Sequence, residues 1–199
     1  MTNSKWLQLD EKAQNILIKN DRGGFTVPTA GLYPYQWNWD SAFAGWGFST
    51  FDIERAWQEL ESLFAGQWNN GMVPHILFRS NDPDYFPGPD VWGTEECGPI
   101  SSSGISQPPV AATFVRAIWE KDKTIGNNRL KKIFPKLKAW HKWFMTWRLT
   151  DRNCIFISHP WEAGRDNSPD WDNAMRAINP VGVGEYTRRD TSHVDGSMR

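Results

Sequence analysis

The sequence holds little that would staple it, embed it in a membrane or bind it to a polyanion. Its two cysteines, Cys97 and Cys154, stand far apart in 199 residues and in no metal-ligand spacing. A disulfide framework therefore does not define the fold. A metal site built from His75, His159 and nearby acids finds no supporting spacing either, and no cofactor is called for. No apolar run approaches the ~20 residues of a membrane-spanning helix. The opening MTNSKWLQLDEKAQ lacks the apolar core of a signal peptide, which makes the cytoplasm the default expectation. Neither sign of charge is in excess, with 22 Lys+Arg against 23 Asp+Glu and a net charge of -1, so there is no electrostatic footprint for nucleic acid. The one basic cluster, RLKKIFPKLK from Arg129 to Lys138, is interleaved with Ile133, Phe134 and Leu137. That pattern reads as the wet face of an amphipathic helix.

What the chain has in abundance is tryptophan: 13 residues, in a sequence only 39% hydrophobic. Many of these indoles must lie beside polar groups. Flat apolar faces next to acids and amides suit a sugar, whose C–H faces stack while its hydroxyls need hydrogen-bond partners. Trp119, Trp140, Trp143 and Trp147 fall on helical patterns and are expected in a core.

Periodicity predicts a mainly helical protein with little strand. LDEKAQNILIKND (9–21) reads as a first helix with Leu9, Ala13, Ile16 and Leu17 on one face, ended by Gly23 and Gly24. WNWDSAFAGWGFSTF is apolar almost all round and predicts a deeply buried helix. DIERAWQELESLFAGQ is amphipathic, with Asp52 as N-cap and Ile53, Trp57, Leu60 and Phe64 as its stripe. A Pro-, Gly- and Ser-rich stretch from about Trp68 to Gln107 is too long to be a passive connection, and such loops usually carry function. PPVAATFVRAIWEKD opens a helix with its prolines where missing N–H groups cost little. A longer pattern follows to Asp151, interrupted or kinked at Pro135. CIFISHP is a short extended run, and SPDWDNAMRAI begins another helix with Ser168 as N-cap and Pro169 at its first position.

Two stretches concentrate chemistry. In HPWEAGRDNSPDWD (159–172), five of fourteen residues are His, Glu or Asp, set among two tryptophans. Breaking a glycosidic bond requires one protonated carboxyl to donate to the leaving oxygen and a second carboxylate to activate water or attack. Asp170 and Asp172 lie in a predicted first helical turn, where an acid is favoured by the helix dipole alone. Glu162 and Asp166 precede that helix and are freer, but spacing does not say which of them is the acid. In GLYPYQWNWDSAF, Tyr33, Tyr35, Trp37 and Trp39 surround Gln36, Asn38 and Asp40 where a loop enters a helix. Asp40 has a bland reading as a helix cap, and the convergence also fits a sugar subsite.

Along these segments the chain resembles glycoside hydrolases with an (α/α)6 barrel. It is similar to family 63, the mannosylglycerate hydrolase-like enzymes and processing α-glucosidases, with trehalases as distant kin. The resemblance is carried by YPYQWNWDSAF, GMVPHILF, YFPGPDVW, SSGISQPPV and HPWEAGRDNSPDWD, in that order from Tyr33 to Asp172. It implies an all-α fold that is part of an (α/α)6 barrel, with long loops carrying the site. It implies that Asp166 is the general acid of an inverting hydrolysis of an α-glucosidic or α-mannosidic bond in a small sugar substrate. Tyr33, Trp37, Asp40, His75, Gln107 and Glu162 would be substrate-binding positions, with neither metal nor cofactor. The sequence departs from the pattern at Ala163, where trehalase-like segments often carry Ser, and at Arg165, where others carry an apolar or aromatic residue. No residue matches the family's general base, a Glu in the C-terminal half of the domain. Residues 1–199 are therefore expected to be the N-terminal portion of a single catalytic domain, inactive by itself. The alternatives are a carbohydrate-binding protein without catalysis, the product of a decayed gene, or a helical protein with no ligand.

Overall fold

The computed structural model describes residues 2–166 and 168–177. They form a mostly helical body with one small sheet. Helix α1 spans Thr2–Asn20. Strand β1, Gln36–Trp37, runs directly into α2, Asn38–Phe48, and α3 follows at Ile53–Ala65. Strand β2, Ile76–Leu77, pairs antiparallel with β1. The short α4, Pro89–Trp92, precedes α5, Ala111–Lys121, and α6, Lys123–Trp147. Two 3-10 turns, Pro160–Ala163 and Pro169–Trp171, lead into α7, Asp172–Met175.

Local chemistry accounts for much of this. Asp52 caps α3, its side chain accepting from Arg55 N at 2.9 Å, and Trp57, Leu60 and Phe64 fill the core behind it. Asp122 caps α6 through Thr124 N and Ile125 N, at 2.9 and 3.2 Å. Ser168 accepts from Asp170 N and starts the 3-10 turn that has Pro169 at its first position. The end of the SPDWDNAMRAI pattern beyond Ala177 lies outside the described residues.

The structure departs from the sequence reading in four places. Helix α1 begins well before Leu9, but Leu9 and Ile16 are exposed. Among the apolar residues of its expected face, Leu17 packs on the core, in a close approach to Gly47 where a Cβ would come within 2.8 Å of Leu17 Cδ1. Helix α2 is not enclosed: Ser41, Ala42, Ala44, Gly45 and Phe48 are buried, while Phe43 and Trp46 are exposed and touch Phe114 of α5. Pro135 does not break α6, which continues through it as one helix of 25 residues. Trp140 and Trp143 are core and Trp119 packs against it, but Trp147, at the last turn of α6, is 61% exposed. A helical period places a residue on a face, and only the neighbouring elements decide whether that face is covered.

A buried polar network ties the loop before β1 to the helices. Glu59 of α3 is fully buried. It accepts from Thr26 Oγ1 at 2.7 Å, Thr26 N at 3.2 Å, Ser41 Oγ at 2.5 Å and Arg55 Nη2 at 2.8 Å. Arg55 also grips Asp21 at 2.8 Å. A carboxylate out of water is tolerable only when its lone pairs are filled in this way. The result anchors both ends of the segment that delivers Gln36, Trp37 and Asp40.

Candidate active site

A cleft of about 190 Å³ is lined by Pro28, Tyr33, Trp37, Trp39, Asp40, His75, Gln107, Gly164 and Asp166. Six of the seven residues expected from sequence to form the site therefore meet in one place, though 133 positions separate Tyr33 from Asp166. Each comes from a loop or from the end of an element. Trp37 ends β1, Asp40 sits in the first turn of α2, His75 precedes β2, Gln107 precedes α5, and Asp166 follows the turn at Gly164.

Contacts among the wall residues hold the cleft in shape. Trp37 Nε1 donates to His75 Nε2 at 3.1 Å, and Tyr33 packs edge-on against Trp37 with ring centroids 5.1 Å apart. Tyr35 belongs elsewhere: it is fully buried, packs on Phe78 and Tyr85, and donates to the Asp82 carbonyl. Asp40 is not the cap of α2. The N-cap position is Trp37, which makes no side-chain cap bond. The free N–H of Trp39 is instead satisfied by Gln107 Oε1 at 3.0 Å. A side chain from the far end of the long loop thus closes the helix N-terminus, and Asp40 is left at the cleft.

Burial pushes the Asp40 carboxyl up to about 6. Hydrogen bonds from its own N–H and from the Trp39 side chain pull the other way, and the charge of Asp166 adds to the rise. Burial likewise holds His159 below the ordinary imidazole value, against the attraction of Glu162. His159 Nδ1 accepts from Trp161 N at 3.2 Å, which caps the 3-10 turn.

Glu162 does not line the cleft. It is 5% exposed, and both carboxylate oxygens are engaged by protein. Oε1 accepts from Ser106 N at 3.1 Å and from Arg148 Nη2 at 2.8 Å, while Oε2 accepts from Ser158 N at 2.6 Å and Ser158 Oγ at 3.0 Å. Asp170 is exposed and paired with Arg165. The sequence reading missed Pro28 and Gly164 as wall residues, and it set Trp39 in the aromatic cluster around Asp40 without naming it among the substrate-binding positions. Gly164 has φ +64, and a Cβ there would lie 2.2 Å from Trp39 Cη2. A glycine two residues before a candidate acid is the available signal, since it marks either a left-handed turn or a close approach.

Residues 33–199 match the family described as mannosylglycerate hydrolase MGH1-like glycoside hydrolase domain. The chain belongs to that family. Among curated relatives, mannosylglycerate hydrolase MGH2 of Selaginella moellendorffii is 48% identical over 192 residues, 95% of this chain and 39% of that protein. Glucosylglycerate hydrolase of Mycolicibacterium hassiacum is 39% identical over 92% of this chain and 44% of its own length. The crystal structure of the family 63 mannosylglycerate hydrolase from Thermus thermophilus with Tris and D-glycerate superimposes with a TM-score of 0.86 at 45% identity. It covers 96% of this chain and 48% of the Thermus chain. The chain thus spans less than half the length of these family members. Among the described residues no helix is long and apolar enough to cross a membrane.

Proposed function

We propose that this chain carries the acid side of a glycoside hydrolase site, and that the full-length protein cleaves the α-bond between a mannosyl or glucosyl unit and glycerate. The observation that carries the reading is the single cleft joining Tyr33, Trp37, Asp40, His75, Gln107 and Asp166. Its walls supply a stacking face, amide and imidazole partners and two carboxyl groups, which is the chemistry a hexose ring demands. The relatives named as mannosylglycerate and glucosylglycerate hydrolases support the substrate class.

In this reading the helical body is the N-terminal part of an (α/α)6 barrel. Asp166 donates its proton to the glycosidic oxygen as the bond from that oxygen to the anomeric carbon breaks. A water attacks from the opposite face and inverts the centre. The carboxylate that takes the water's proton belongs to the other half of the family domain, ~6.5–9.5 Å from the acid so that water fits between them. Tyr33, Trp37, Asp40, His75 and Gln107 hold the sugar, and Asp40 supplies a second carboxyl beside the acid.

The test is hydrolysis of mannosylglycerate and glucosylglycerate by the full-length protein, with the anomer first released identified by proton NMR. Asp166→Asn is expected to lower turnover by roughly 10²–10⁴-fold, the usual contribution of general acid assistance, while Asp170→Asn stays active. Release of the α-anomer, or an active Asp166→Asn beside a dead Asp170→Asn, would overturn the assignment. Sugar binding with no turnover on either substrate would favour a carbohydrate-binding protein instead.

A further inference from the structure

The acid loop is tethered by an ion pair neither of whose members lines the cleft. Glu162 and Arg148 pair at 2.8 Å with their side chains 4% and 13% exposed. Arg148 is the C-cap that follows α6, its N–H donating to Phe144 O at 2.9 Å. Its guanidinium lies over the rings of Trp143 and Phe156, at 5.0 and 5.4 Å from their centroids, and its own carbonyl accepts from Phe156 N at 2.9 Å. It is therefore held by two aromatic rings and by backbone hydrogen bonds.

Glu162 spreads that rigidity to two loops. Through Ser158 N and Oγ it holds the start of the segment that ends at Asp166. Through Ser106 N it holds the residue before Gln107. Ser106 is pinned again by its hydroxyl, which donates to Val73 O at 2.7 Å and accepts from Trp140 Nε1 at 3.1 Å. Gln107 in turn closes the N-terminus of α2 at Trp39, one residue before Asp40. One buried carboxylate thus joins the loop bearing the candidate acid to the loop and helix bearing the opposite wall.

We propose that Arg148, acting through Glu162, is a positioning residue that sets the Asp166 loop against the Gln107 loop. The inference rests on the hydrolase reading of the cleft. A buried ion pair is weak evidence for stability, because desolvation offsets most of the Coulomb gain. What it does provide is geometry: the oxygens of Glu162 receive all their donors only when both loops and Arg148 are in place. A proton donor is useful only within hydrogen-bond reach of the leaving oxygen, and displacement of a catalytic group by ~1 Å can cost ~10²-fold in rate.

The test separates a misplaced acid from a damaged fold by the leaving group. Fluoride departs from a glycosyl fluoride without protonation, whereas glycerate must be protonated as it leaves. The full-length protein is assayed on mannosylglycerate and on α-mannosyl fluoride, with the glucosyl pair as well, as wild type, Arg148→Met, Arg148→Lys and Glu162→Gln. Arg148→Met and Glu162→Gln are expected to lose about 10- to 100-fold in kcat on the glycerate substrate, to change KM for it by less than about threefold, and to keep most of their activity on the fluoride. Arg148→Lys, which can present one N–H to Glu162 Oε1 in place of Nη2, recovers most of the loss. Equal losses on glycerate and fluoride substrates would show general structural damage and overturn the proposal, as would wild-type rates in Arg148→Met. A wild type inactive on both substrates would overturn the hydrolase reading itself, and the positioning role with it.

Discussion

Trp37 Nε1 donates to His75 Nε2 at 3.1 Å, with the two rings near perpendicular and their centroids 6.1 Å apart. An indole N–H only donates, so this bond makes Nε2 the acceptor and puts the proton of the neutral imidazole on Nδ1. Trp37, a lining residue of the cleft, thereby also sets the tautomer of the imidazole beside it. Trp37→Phe retains a flat ring but removes the donor. Loss of one hydrogen bond is worth about 1 kcal/mol, so the affinity for methyl α-mannoside or its glucoside should fall several-fold. Calorimetric titration measures this, and an unchanged affinity would show that His75 is oriented by something else.

Asp40 makes stability depend on pH in a stated direction. Its carboxyl goes from an ordinary value of 3.8 to about 6 in the fold. The folded state therefore holds the proton more tightly than the unfolded state does. The stabilisation is fully present below about pH 4 and is lost as pH rises through about 6. A shift of this size corresponds to at most about 3 kcal/mol. Asp40→Asn should gain on the wild type between pH 4 and pH 7, measured as the difference in urea unfolding free energy between the two. A constant difference across that range would contradict the burial of this carboxyl.

Glu59 should be the most sensitive acid in the body, although nothing marks it as catalytic. Replacing it by Leu removes the acceptor that Arg55, Thr26 and Ser41 share in a dry site and leaves Arg55 with Asp21 as its one carboxylate. Breaking such a buried pair from one side costs about 3–5 kcal/mol, enough to unfold a marginal domain. Asp170→Asn, at an exposed ion pair with Arg165, should leave the urea midpoint nearly unchanged. Comparable effects of the two substitutions would refute the network's role.

Gly164→Ala tests the cleft wall directly. The backbone there is left-handed, with φ +64, and the new methyl would meet the Trp39 ring at 2.2 Å. Either the turn before Asp166 or the indole must move. In the full-length protein proposed above, sugar affinity and turnover should both drop by at least about tenfold, while far-UV circular dichroism stays helical. Full activity in Gly164→Ala would mean that the wall is softer than this packing implies.

Local instructions in the sequence were enough for most helix starts and for the buried stripe of α3. Asp52 and Ser168 announce helix starts because an N-cap needs only a side-chain oxygen within reach of N–H groups two or three residues ahead. The stripe of Trp57, Leu60 and Phe64 is legible because burial on a helix follows its turn. The cleft residues were legible for a different reason, a run of ordered motifs shared with a known family. What no local rule contains is the partner across the chain. The N-terminus of α2 is closed by Gln107, 68 residues away, so Asp40, which the helix rules cast as a cap, is left at the cleft. Glu162 stands in the same acid-rich stretch as Asp166, yet Arg148, Ser106 and Ser158 claim its oxygens while Asp166 reaches the cleft wall. Trp143 and Trp147 share a helix four residues apart, and one is buried and the other exposed. Capping and periodicity act within about one helical turn, so they can be read along the chain. Whether a side chain is covered, paired or left facing a cleft depends on elements brought together by the fold, and that was decided by the tertiary structure alone.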